Sequence, residues 1–160
     1  MKCLSLWQPW ASLLFSPGEF RKEFETRPRA MGIKVGETIA IHAAKTLDGF
    51  RALDQIRRDD RFVIRQSLAE QFPEVKPGEL WQNVLPFGAI VGVLTIGGMN
   101  RVEEIRDVIT ERERAFGDFR DGRFAIATVD PVKFAEPIPF KGLQGVFFVP
   151  AHVLNQESAA

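Results

Sequence analysis

A chain of 160 residues with 45% hydrophobic and 26% charged side chains has the balance of a folded globular domain and is long enough to bury a core. Twenty-one Lys and Arg against twenty-one Asp and Glu leave no net charge, which argues against broad, salt-driven binding along duplex backbones. The single cysteine, Cys3, excludes an internal disulfide framework and a thiolate zinc cluster, and it suits a reducing cytoplasm, where the protein is expected. Trp7-Gln8-Pro9-Trp10 interrupts the apolar first fifteen residues, so they do not read as a signal peptide. No window approaches the roughly 18 apolar residues that a membrane helix needs, and no membrane association is expected. The first 65 residues carry twelve basic against eight acidic side chains, and the remainder nine against thirteen. A small positive field over the first part suits a single nucleotide or a short strand.

Residues 3–6 read as a first short strand, and Pro9 opens a short helix that runs to about Phe15 before Ser16-Pro17-Gly18. Phe20 to Thr26 alternates in part and leads into Arg27-Pro28, whose proline holds Arg27 extended. Thr38 to Ala43 is a clear strand, with Ile39, Ile41 and Ala43 on one face and Thr38, Ala40 and His42 on the other. Thr46 is placed as the N-cap of a helix striped by Leu47, Phe50, Leu53 and Ile56. A second helix is expected from near Asp60 to Gln71, closed by Pro73, Pro77 and Gly78. Ala89 to Ile96, nearly all apolar, reads as a central strand, and Val102, Ile105, Val108 and Ile109 mark a further helix. Phe124 to Val129 and Val146 to Val149 complete the strands, while Glu136 to Gly145 reads as a stiff proline loop. The pattern predicts a mixed α+β fold, a curved or barrel-like sheet with flanking helices. One domain is expected over residues 1–154, with a helical insertion at about 46–86 and a flexible tail at 155–160.

Several of these segments end in side chains suited to a binding site. An exposed indole at Trp7 or Trp10 offers a face for a base, and Gln8 has the paired donor and acceptor that read a base edge. In extended geometry Glu25 and Arg27 share one face and Thr26 takes the other. If that shared face lines a cavity, Arg27 becomes a clamp for phosphate or carbonyl and Glu25 an acid, a base or an acceptor. His42 closes its strand, and Lys45 stands at a helix start, where the dipole disfavours a cation unless an anion lies nearby. Arg123, at the entrance to its strand, reaches toward the same region. His42 and His152 lack ligand spacing, and no Gly-rich dinucleotide turn is present, so no metal or cofactor is expected.

Taken in order, Leu4-Ser5-Leu6-Trp7-Gln8-Pro9-Trp10, Glu25-Thr26-Arg27 and Ala40-Ile41-His42-Ala43-Ala44-Lys45 resemble the ASCH domain, a branch of the PUA-like superfamily. The resemblance covers 3–11, 25–27, 39–45, 88–97, 122–129 and 136–149. It implies a PUA-like curved sheet or barrel beside a cleft, generally linked to RNA or modified-nucleotide recognition. Some relatives look like single-strand RNA nucleases, and a small branch consists of acetylcytidine amidohydrolases. That branch carries Lys-x-x-Thr-x-Arg with catalytic Lys and Thr. Here Lys22-x-x-Glu25-x-Arg27 puts a carboxylate where the nucleophilic hydroxyl stands, which argues against that reaction.

Three functions follow as expectations. The first is an RNA- or nucleotide-binding module that recognises single-stranded RNA or a modified nucleotide, with Trp7, Gln8, Trp10, Lys22, Thr26, Arg27, His42 and Arg123 as contacts. The second is a metal-independent hydrolase acting on RNA or a modified nucleoside, with Lys45 and Glu25 as its proton-transfer groups. The third is a protein-interaction adaptor that docks a partner on the 46–86 insertion through Leu80, Trp81 and Phe87.

Overall fold

The computed structural model describes residues 1–155; of the tail expected at 155–160, all but Asn155 lies outside the described residues. Six strands form one mixed sheet: β1 (Lys2–Leu6), β2 (Phe24–Arg27), β3 (Thr38–Ala43), β4 (Ala89–Arg101), β5 (Phe124–Pro139) and β6 (Val146–Phe148). Their order is β2-β5-β4-β3-β1-β6, with β1 parallel to β3 and every other pairing antiparallel. Register shifts break the β4–β5 ladder at three places and the β3–β4 ladder at one, between Ile41 and His42. Such bulges bend strands and increase their twist. The sheet curls into a half-barrel with helices flanking it, an α+β architecture. It curls far enough for Arg27 of β2 to reach the Ser5 carbonyl of β1, four places away in strand order, at 3.5 Å.

Both faces of the sheet are covered, which explains why β3 is buried on both faces from Ile39 to Ala43. Ile39, Ile41 and Ala43 join Leu4, Leu6, Leu14, Leu94 and Ile126 on one side. Ala40 joins Cys3, Ile90, Phe134, Ile138 and Phe147 on the other. The helices are α1 (Trp10–Leu13), α2 (Asp48–Leu53), α3 (Arg58–Gln71), α4 (Trp81–Val84), α5 (Val102–Ile105), α6 (Glu111–Arg114) and α7 (Ala151–Leu154). Helices α2 to α4 occupy the segment 46–86. Their Leu53, Ile64 and Leu68 bury a core of their own with Leu13, Leu85 and Phe116.

Several boundaries differ from expectation. Helix α1 is shorter than 9–15; Pro9 stands at its N-cap, and the Gln8–Pro9 peptide is cis. Leu47 rather than Thr46 is the N-cap of α2, although the Thr46 hydroxyl still accepts the Asp48 N–H at 3.2 Å. Strand β4 runs five residues past Ile96. The largest correction is β5, which continues into the segment read as a proline loop as far as Pro139, while 140–145 remains a loop. Strand β2 pairs only with 124–127, so the far half of β5 has one open edge. Pro137 and Pro139, two residues apart, share a side and need no ladder partner there.

Candidate functional site

Parallel pairing of β1 and β3 aligns Leu6 with Ala43, so both strands discharge their next residues at one end of the sheet. That end opens into a cavity of about 1220 Å³. Trp7 and Trp10 line it after β1, Lys22, Glu25, Thr26 and Arg27 at β2, His42 and Lys45 at β3, and Arg123 at the start of β5. Nine of the ten residues singled out in the sequence therefore face one hollow, and Gln8 does not.

Trp7 is 47% exposed at the mouth. It is held there by the start of α2, where Gly49 approaches so closely that an added Cβ would lie 1.9 Å from the Gln8 carbonyl and 2.9 Å from Trp7 Cβ. The base-reading role expected of Gln8 gives way to a structural one. Its side chain is fully buried, with Nε2 donating to the Pro86 carbonyl at 2.8 Å and Oε1 accepting the Ser12 N–H at 3.1 Å. A tight ligature of β1, α1 and the end of the insertion leaves that amide nothing to offer a ligand.

Glu25 sits between two cations. Its carboxylate lies 3.0 Å from Lys22 Nζ and 2.9 Å from Arg27 Nε. Lys22 is 1% exposed and also donates to the Phe24 carbonyl. Buried Glu113 accepts the N–H groups of Glu23 and Phe24, both at 2.9 Å, and burial pushes its carboxyl up despite the nearby Lys22 charge. This ionic cluster ties α6 to β2. It leaves Glu25 committed to two internal partners, a geometry for positioning Arg27.

His42 is likewise occupied on both nitrogens. Nε2 donates to the Phe140 carbonyl at 3.0 Å, which leaves Nδ1 to accept the Ser5 hydroxyl at 3.1 Å. Burial holds the imidazole below the usual histidine range. The loop 140–145 lies directly over the ring, because Gly142 has no Cβ; one placed there would stand 2.3 Å from Cε1. Main-chain bonds from Phe140 to Gly88 and from Ser5 to Gly145 anchor the loop at both ends.

Thr26 was expected to point away from Glu25, yet it too reaches the cavity wall, where its hydroxyl accepts the Asp118 N–H at 3.2 Å. Asp118 is held by Arg120, which keeps its carboxyl below the ordinary range, and lies 3.4 Å from Arg123 Nε. Lys45 lays its stem along Gly88, and its exposed ammonium has no acceptor among the described residues. Arg114, Lys141, Asp48 and Asp60 also line the cavity. Its cations thus number six against four acids, three from each part of the chain, so the basic excess of the first 65 residues is not what makes it positive. The loop 140–145, Arg114 and Asp118 had no periodic signal in the sequence; only the curl of the sheet brings them to the site. Among the described residues no three His, Cys, Asp or Glu side chains cluster as metal ligands.

The curled six-stranded sheet with its flanking helices has the ASCH-domain fold. Crystal structures of ASCH from Zymomonas mobilis superpose on nearly the whole chain. The first matches with a TM-score of 0.54 and 15% identity over 98% of this chain and 92% of that one. A serine-to-alanine mutant of that protein gives 0.53 and 14% over 99% and 94%, and a tyrosine-to-phenylalanine mutant 0.52 and 13% over 99% and 96%. At such identity the likeness is one of fold. No family model matches the sequence, and no curated protein matches it.

Proposed function

We propose that the chain binds RNA by seating one nucleotide of a single strand, flipped or terminal, in the cavity of the β1–β3 end. One observation carries this reading: the exposed indole of Trp7 shares a hollow with Arg27, Lys45 and Arg123. A stacking face beside guanidinium and ammonium groups matches the needs of an unpaired base with its phosphate. The likeness to ASCH-domain structures supports the same ligand class. The test is tryptophan emission during titration with short single-stranded RNAs of mixed sequence. Saturable quenching that weakens with salt supports the proposal; unchanged emission across RNAs and nucleotides defeats it.

The hydrolytic alternative keeps one specific support, the unpartnered ammonium of Lys45 at the cavity wall. Glu25, engaged by Lys22 and Arg27, is poorly placed to serve as its proton-transfer partner. Loss of RNA cleavage or nucleoside deacylation in Lys45→Ala, with activity insensitive to chelator, would favour it. The adaptor alternative loses most of its surface: Trp81 and Phe87 pack against the insertion's core, and Leu80 alone of the three is exposed.

A further inference from the structure

Two arginines bracket Thr26 at the inner end of β2. Arg27 follows it directly, and Arg123 precedes Phe124, the residue that pairs with Arg27 across the β2–β5 ladder. Both Nε atoms are buried without an aligned acceptor. Each lies within ion-pair distance of a carboxylate, Glu25 at 2.9 Å and Asp118 at 3.4 Å, but out of line for a hydrogen bond. The terminal nitrogens make only long bonds to main-chain oxygens, Arg27 to Ser5 at 3.5 Å and Arg123 to Thr26 at 3.3 Å.

The carboxylates, by contrast, are well served by other cations. Glu25 has Lys22 at 3.0 Å, and Asp118 accepts two bonds from Arg120 at 2.8 and 2.6 Å. Four cations here meet two acids; Glu113, counted behind Lys22, still leaves the cations in excess. The Thr26 hydroxyl, having accepted the Asp118 N–H, retains its own proton to donate. Two planar guanidinium forks with under-used donors, beside a hydroxyl and a local positive excess, suit a tetrahedral oxyanion.

Resting on the nucleotide reading above, we infer that Arg27, Arg123 and Thr26 form a phosphate subsite, so that the ligand is a nucleotide carrying a terminal phosphate monoester rather than a free nucleoside. Arg27 touches the Ser5 carbonyl, and Trp7, just past the end of β1, stands two residues beyond Ser5, about 7 Å along the chain. A base on Trp7 and a phosphate between the arginines are thus within the span of one nucleotide. The dianionic monoester matches the excess of positive charge better than the singly charged diester of an internal linkage.

The experiment is tryptophan-emission titration of the full chain with the four common ribonucleosides, their 5′- and 3′-monophosphates and inorganic phosphate. It is repeated on Arg123→Gln and Arg123→Lys, with melting curves as a folding control. Monophosphates should bind about tenfold tighter than the nucleosides. Arg123→Gln should erase most of that advantage, and Arg123→Lys should keep part of it. If Arg123→Gln fails to fold, the partial loss in Arg123→Lys carries the test. Equal binding of nucleosides and monophosphates, or an advantage unchanged in both variants, overturns the phosphate subsite and leaves the nucleotide cavity standing. Absence of binding by any nucleoside, nucleotide or RNA overturns both.

Discussion

Lys22→Met removes a charge from the interior while keeping length and much of the packing. Lys22 Nζ lies 3.0 Å from Glu25, a separation at which an effective dielectric of 20 gives an attraction of about 5.5 kcal/mol. Dehydrating both groups consumes much of that, so the pair itself is no great asset. Breaking it is different, because Glu25, 9% exposed, would keep only Arg27, and the Phe24 carbonyl would lose its donor. Removing one member of a buried pair costs about 3–5 kcal/mol, and the retained arginine places this case at about 3 kcal/mol. In urea, with a slope of about 2 kcal/mol/M, the midpoint should fall by about 1.5 M. A shift below about 0.3 M, with an unchanged slope, would mean that the Lys22–Glu25–Arg27 cluster does not hold β2 in place.

Gly142→Ala should cost about 1–3 kcal/mol through overpacking, since the new methyl would overlap the His42 ring, and lower Tm by about 5 °C; an unaltered Tm would show that the loop is free to lift. The buried His42 favours its neutral form when folded, so the unfolded chain binds more protons. Its contribution to stability should therefore fall as pH drops through about 6.5 toward the lower folded value. Glu113, raised by burial, has the opposite slope, losing its contribution as pH rises above the ordinary carboxylate range, so the His42 part is read as wild type minus His42→Asn across pH 5–8. A difference flat with pH refutes it. Lys45→Ala should weaken RNA binding by about tenfold or less with Tm unchanged, because the exposed ammonium supports nothing in the fold; a large loss of stability would contradict that placement.

Much of the sheet was legible because its strands carry patterns that packing enforces. Thr38–Ala43 was bounded to the residue, since its alternation serves two cores at once. The β5 extension was not, because prolines ordinarily exclude a strand, and only knowledge of an open edge beyond 127 admits Pro137 and Pro139. The site residues at strand ends were readable as chemistry without a location. What joined them is the parallel register of β1 and β3 and the curl that carries β2 back to Ser5, neither of which leaves a local trace. Gln8 shows the converse limit: a side chain that lies in the chain between two cavity-lining tryptophans can still point inward. Its fate depends on where Pro86, seventy-eight residues away, comes to rest.

The three tryptophans allow one direct test of the central claim. Trp7 and Trp10 line the cavity, whereas Trp81 of α4 packs against Phe72, away from it. In an amide-and-indole correlation spectrum of 15N-labelled protein, titration with a short single-stranded RNA should shift the Trp7 indole resonance most, Trp10 less and Trp81 hardly at all. Shifts confined to Trp81, or none at saturating RNA, would contradict a nucleotide seated at the β1–β3 end.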